Sequence, residues 1–123
     1  MEKGIKALGD LVKFTKYSKW IEEEKRRETW EELCFRNMNM HLKKFKYVDD
    51  NDAFADEIRS VYENFVIPMK VLPSMRSMQF AGKPVELSPN RLYNCAYLPL
   101  DSIDAFSESM FLSLGGTGVG FSV

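Results

Sequence analysis

The side chains best suited to chemistry in this 123-residue chain are Cys34, Cys95 and His41, with Gly116-Thr117-Gly118-Val119-Gly120 as a possible ligand-contacting turn. The two cysteines are too few and too far apart for a disulfide scaffold, and in a reducing compartment they are expected as thiols. No CxxC and no paired His/Cys cluster occurs, so a zinc site has no ligands, and the expectation for metal is none. His41 is the sole histidine, so any Ser-His-Asp or Cys-His device would need it, yet it has no partner nearby in sequence. The ordinary reading of His41 is a side chain bordering an apolar stripe.

The Gly-rich run departs from both phosphate-binding patterns. Its spacing is G-x-G-x-G rather than G-x-G-x-x-G, and it follows a helical segment and enters a strand-like one. The helix N-terminus that would hold a pyrophosphate is therefore on the wrong side. No Lys-Ser/Thr follows, which excludes a P-loop. A structural turn is the ordinary reading; close backbone approach to a ligand stays open, because glycine allows it.

Helices are expected to position these residues over most of the chain. Residues 4 to 20 place Ile5, Leu8, Leu11, Val12 and Phe14 at helical spacing. The charged run from Glu22 to Glu28 reads as a solvated connection or helix face. Thr29-Trp30-Glu31-Glu32 is a capping box, after which Trp30, Cys34, Met38, Leu42 and Phe45 form one apolar stripe. Cys34 on that stripe reads as a buried, inert thiol. Asp49-Asp50-Asn51-Asp52 supplies caps for a third helix whose buried face is Phe54, Ile58, Val61, Tyr62 and Phe65. A short helix fits residues 74 to 80, and residues 82 to 90 read as a loop around Pro84 and Pro89.

The pattern changes after residue 90. Residues 91 to 98 are strand-like, Asp101-Ser102-Ile103-Asp104 is expected to cap a helix with Ile103, Phe106, Met110 and Leu114 on one side, and Gly115-Gly116 stops it. Residues 117 to 123 then enter a second strand. The fold class is α/β: a helical region over 1–90, then a strand, a helix and the start of a second strand over 91–123. A single βα unit leaves strand edges unpaired, so the pattern is that of a truncated, split or interrupted protein. Cys95 lies on the first of these strands; packing is the usual role of such a cysteine, and redox chemistry the alternative.

Composition narrows the partners. Seventeen basic and eighteen acidic residues leave a net charge of −1, which provides no electrostatic reason for a nucleic-acid or membrane partner. No apolar run approaches the roughly 20 residues that span a bilayer. Residues 1 to 10 contain no signal-peptide-like stretch, so a cytoplasmic location is expected.

Taken in order, Leu72-Pro73-Ser74-Met75-Arg76-Ser77-Met78, Tyr93-Asn94-Cys95-Ala96, Phe106 to Met110 and Gly116 to Val123 resemble the adenosylcobalamin-dependent ribonucleoside-triphosphate reductases. Tyr17-Ser18-Lys19-Trp20 and Arg26 to Glu32 are similar to that family's N-terminal helical region. The resemblance implies a ten-stranded α/β barrel, incomplete in this chain, in which a thiyl radical reduces the ribose 2′ carbon while two further cysteines close to a disulfide. Cys95 matches the first of that redox pair. Ser74 and Asn94 match positions at the substrate, and Gly118 matches a glycine whose backbone lies against it.

The same resemblance implies adenosylcobalamin in the complete enzyme, at a site outside this chain. It implies as partners a ribonucleotide, the remainder of the reductase and a thioredoxin-like reductant. The radical-bearing cysteine, the redox partner of Cys95 and the acid/base carboxylate would lie beyond Val123, so the segment alone is expected to be inactive. The radical generator, which separates the reductase classes, is not encoded in these residues. The competing expectation is a small helical protein-interaction module in which Cys95 only packs.

Overall fold

The structure is a computed structural model in which residues 2–45 and 53–122 are described. The caps expected at Asp49 to Asp52, and Val123 at the end of the second strand, lie outside the described residues. The described residues form a mixed α/β fold, mostly helical, with two two-stranded sheets. The chain divides into two compact units, Met1–Ala81 and Gly82–Val123.

In the first unit, α1 (Glu2–Val12) runs into a wide π turn at Lys13–Tyr17 rather than continuing as one helix to residue 20. Two short antiparallel strands follow, β1 (Trp20–Ile21) and β2 (Arg26–Arg27), with Trp20 opposite Arg27. The charged run is thus a hairpin, and only its tip is freely solvated. Arg26 forks onto Glu32 at 2.7 Å through both terminal nitrogens, and Arg36 takes Glu28 at 2.7 and 2.9 Å. A guanidinium matches two carboxylate oxygens at once; the Arg36–Glu28 pair lies inward, and the Arg26–Glu32 pair stays at the surface.

Helix α2 (Trp30–Lys44) starts as its sequence requires: the Glu32 amide donates to Thr29 Oγ1 at 3.3 Å, and the Thr29 amide donates to Glu32 at 2.7 Å. Its stripe enters the core as far as Met38; Leu42 is partly buried and Phe45 is exposed. The core comprises Leu33, Cys34, Met38, Tyr62, Val66 and Met78.

Helix α3 (Ala53–Val61) passes into a second π turn, Tyr62–Val66. This corrects the expected inner face. Ile58, Tyr62 and Val66, spaced i, i+4 and i+8, turn inward, whereas Val61 and Phe65 are exposed. Helix α4 (Met75–Phe80) then packs on α2 with Ser77 and Met78 buried.

In the second unit, the expected loop contains a short helix, α5 (Lys83–Leu87), and a 3₁₀ turn, Pro89–Leu92. Pro84 falls in the first turn of α5, where its missing amide hydrogen is not needed, so proline here starts a helix instead of breaking one. The 3₁₀ turn also takes up residues expected in the strand: β3 spans Cys95–Pro99.

Helix α6 (Asp104–Leu114) crosses over to β4 (Gly118–Ser122), which pairs parallel with β3 from Cys95 opposite Gly118 to Pro99 opposite Ser122. The βαβ unit is therefore present, with two corrections. No side chain caps α6: Ile103 is already helical at the cap position, and the Ala105 amide bonds the Ser102 carbonyl. The expected apolar side of α6 faces outward, with Ile103, Phe106, Met110 and Leu114 all exposed and Ala105 buried. Ala105, Ser109 and Leu112 are the less exposed residues of the helix. No helix among the described residues is long and apolar enough to cross a membrane.

Candidate functional site

The second unit brings three of the four sequence-predicted site residues together. Cys95 opens β3, its thiol is free and exposed, and its register partner on β4 is Gly118. The Gly118 amide donates to the Asn94 carbonyl at 2.9 Å, so Asn94, Cys95 and Gly118 sit at one end of the strand pair. Ser74 belongs to the first unit, at the N-cap position of α4.

Thr117, read in the sequence only as part of the Gly-rich turn, ties this end together. It is buried, and its hydroxyl donates to the Tyr93 carbonyl at 3.3 Å, joining the segment before β4 to the segment before β3. A threonine between two glycines in a turn was the available signal. Gly115 is fixed by space: a Cβ there would fall on the Asn90 side-chain amide. Gly116 has φ 90°, a conformation that glycine adopts without strain. These contacts set where each strand begins, and hence where the thiol stands.

At the first-unit position, the Ser74 carbonyl accepts from the Met78 amide at 3.0 Å, but the Ser74 side chain makes no capping bond. An exposed N-cap hydroxyl that does not cap its own helix is free to meet another acceptor.

Cys34 has the opposite surroundings to Cys95. It is fully buried, and burial pushes its thiol up to about 11, with the Glu31 carboxylate adding to the rise. Thiolate, the reactive form, is therefore suppressed there. His41 is half-buried and its pKa is lowered by burial, and its ring lies parallel to that of Phe45 at 6.4 Å. Among the described residues no group of three His, Cys, Asp or Glu could hold a metal. With the only imidazole stacked on Phe45 and partly desolvated, these residues do not fit a cobalamin site.

A groove of about 550 Å³ lies between the apolar stripe of α1, including Ile5 and Leu8, and Trp30, Met69 and Met75. None of the sequence-predicted site residues lines it. Compared with family models, curated proteins and solved structures, the chain has no match.

Proposed function

We propose that this chain is the N-terminal portion of a cytoplasmic ribonucleotide reductase of the adenosylcobalamin-dependent kind, supplying one redox-active cysteine to a complete enzyme. The observation that carries the reading is the exposed Cys95 thiol at the start of β3, beside Gly118 and anchored by backbone on both strands. A thiol that must reach one face of a ribose is better positioned on a strand than on a loop. Gly118, with no side chain, leaves room for a sugar to approach the same end of the sheet.

In the proposed reaction Cys95 and a second thiol from the remainder of the enzyme form a disulfide. Their two electrons and two protons replace the ribose 2′ hydroxyl by hydrogen and release it as water. An external dithiol, thioredoxin-like in the cell, then reduces the disulfide by exchange. Asn94 lies beside the ribose, at the same end of the strand pair as Cys95 and Gly118. β3, α6 and β4 become the first unit of a ten-stranded barrel, and adenosylcobalamin binds in the remainder.

The test is Cys95→Ser in the assembled reductase with a dithiol reductant. Multiple-turnover reduction should be abolished while cobalamin binding is retained; full turnover by this variant would remove the assignment.

A second reading, a protein-interaction module without catalysis, draws on α6. Ile103 is 87% exposed, and Phe106, Met110, Phe111 and Leu114 are exposed with it. Large apolar side chains exposed together on one helix are normally covered by a partner. In the first reading the remainder of the barrel covers it; in the second a separate protein does. A Cys95→Ser phenotype separates the two.

A further inference from the structure

Alternate residues of a strand point to opposite sides, and α6 packs against one side of the β3–β4 pair. Ala96, Leu98 and Val119 are half-buried on that side, whereas Cys95, Tyr97, Gly118 and Gly120 are exposed on the other. The register places Cys95 opposite Gly118 and Tyr97 opposite Gly120. Thiol and phenol thus stand on β3 with two bare positions beside them on β4.

The local fold demands neither glycine. Neither has a positive φ, and a Cβ would meet only the Asn94 carbonyl at 3.6 Å from position 118 and the Ala96 carbonyl at 3.9 Å from position 120, both ordinary contacts. Glycine inside a strand weakens it and often marks a close approach by a ligand or another backbone.

Ligands of parallel α/β folds bind toward the carboxyl ends of the strands. Cys95 opens β3, and Tyr97 stands two residues nearer that end. A nucleotide whose ribose lies over Cys95 and Gly118 therefore extends across Gly120 and against Tyr97. The Tyr97 hydroxyl shares a hydrogen bond with the side chain of Ser122, two residues beyond Gly120 on β4. That bond leans the ring toward β4 and tethers it, although Tyr97 is 67% exposed. A tethered ring offers a flat apolar face that loses little further freedom on binding.

We infer that Tyr97 is a substrate-binding residue of the proposed reaction, its ring stacking on the base of the ribonucleotide. Stacking accepts any base, because every base has a π face. The inference rests on the reading of Cys95 given under the proposed function. A ring that merely shielded Gly120 would be a structural device, and its loss would lower stability and leave affinity alone.

The complete reductase, with this chain joined to or complemented by the remainder, is assayed with a ribonucleoside triphosphate as the varied substrate and dithiothreitol as reductant. Tyr97→Leu is expected to raise KM about tenfold with kcat within about twofold, the pattern of a lost ground-state contact. Tyr97→Phe, which keeps the ring and loses only the tether, is expected to recover most of that loss. An unaltered KM in Tyr97→Leu, or equal KM values in the Leu and Phe variants, overturns the inference. Gly120→Ala supplies a second arm and carries the test if Tyr97→Leu loses its cooperative thermal transition. Its methyl fits the chain, so the thermal midpoint should hold or rise while KM rises severalfold; an unchanged KM there overturns the inference. Full turnover by Cys95→Ser would remove the underlying reading and this one with it. An inactive Cys95→Ser beside Tyr97 and Gly120 variants of normal KM would overturn the base contact alone.

Discussion

Thiol chemistry depends on the fraction present as thiolate and on access, and the two cysteines of this chain differ in access. Cys34 is enclosed by the core that includes Leu33, Met38 and Tyr62, and burial raises its pKa to about 11. Cys95 is exposed. In the folded chain, iodoacetamide at about pH 8 should therefore modify Cys95 and spare Cys34, with both reacting in denaturant; peptide mass mapping after quenching reads the outcome, and rapid native labelling of Cys34 would contradict its burial. A linked effect follows at alkaline pH. The thiol of Cys34 rises from an ordinary 9.0, and the phenol of Tyr62 rises from 10.0 to about 12, mainly through burial. A group whose folded pKa is raised contributes stability that is complete below its unfolded value and is lost as pH climbs through the folded one. The urea midpoint should accordingly hold up to pH 9.0 and then fall through pH about 11 to about 12, less steeply in Cys34→Ala over the first part of that window.

At the scale of elements, the π turn at Tyr62–Val66 carries two side chains of the core. The turn at Tyr62–Val66 puts Val66 inside at 3% exposure and leaves Phe65 outside. Helical spacing from Ile58 and Tyr62 allows either residue, and Phe65 is the larger and more apolar choice. The structure predicts the reverse order of mutational cost: Val66→Ala should lose on the order of 2 kcal/mol in urea unfolding and Phe65→Ala well under half of that. A larger loss at Phe65 would mean that Phe65, not Val66, occupies the core. The capping box of α2 was legible because its geometry is local, closing within four residues. The π turns were not, because they depend on how α1 and α3 meet the helices beside them. The Asn37–Ser77 bond was equally illegible, linking residues forty positions apart.

Across the whole molecule, burial is uneven between the units. The core of hydrophobic side chains belongs to the first unit, whereas among described hydrophobic residues of the second only Ala105 is fully enclosed. Backbone protection follows local burial and cooperative packing. In the chain studied by itself, amides of α2 should exchange slowly and those of β3 and β4 quickly, as read by hydrogen-exchange mass spectrometry. Joining or adding the remainder of the proposed reductase should slow exchange across Cys95–Pro99 and Gly118–Ser122. Protection of these strands without any addition would favour the interaction-module reading, in which the second unit is stable alone.

What the sequence determined by itself was local or periodic: the start of α2, the buried Cys34, the stop at Gly115-Gly116 and the strand–helix–strand order of residues 95–122. These follow from side-chain chemistry and spacing within a few residues. The tertiary structure decided which apolar faces are covered, that residues 82–90 contain a helix, that Glu28 and Arg36 form an inward ion pair, and that Cys95 stands exposed beside Gly118. Each of these depends on which elements happen to lie alongside, a choice made by long-range packing. The ordered motifs of the chain suggested a redox role for Cys95; the structure supplies the geometry on which that proposal can be tested.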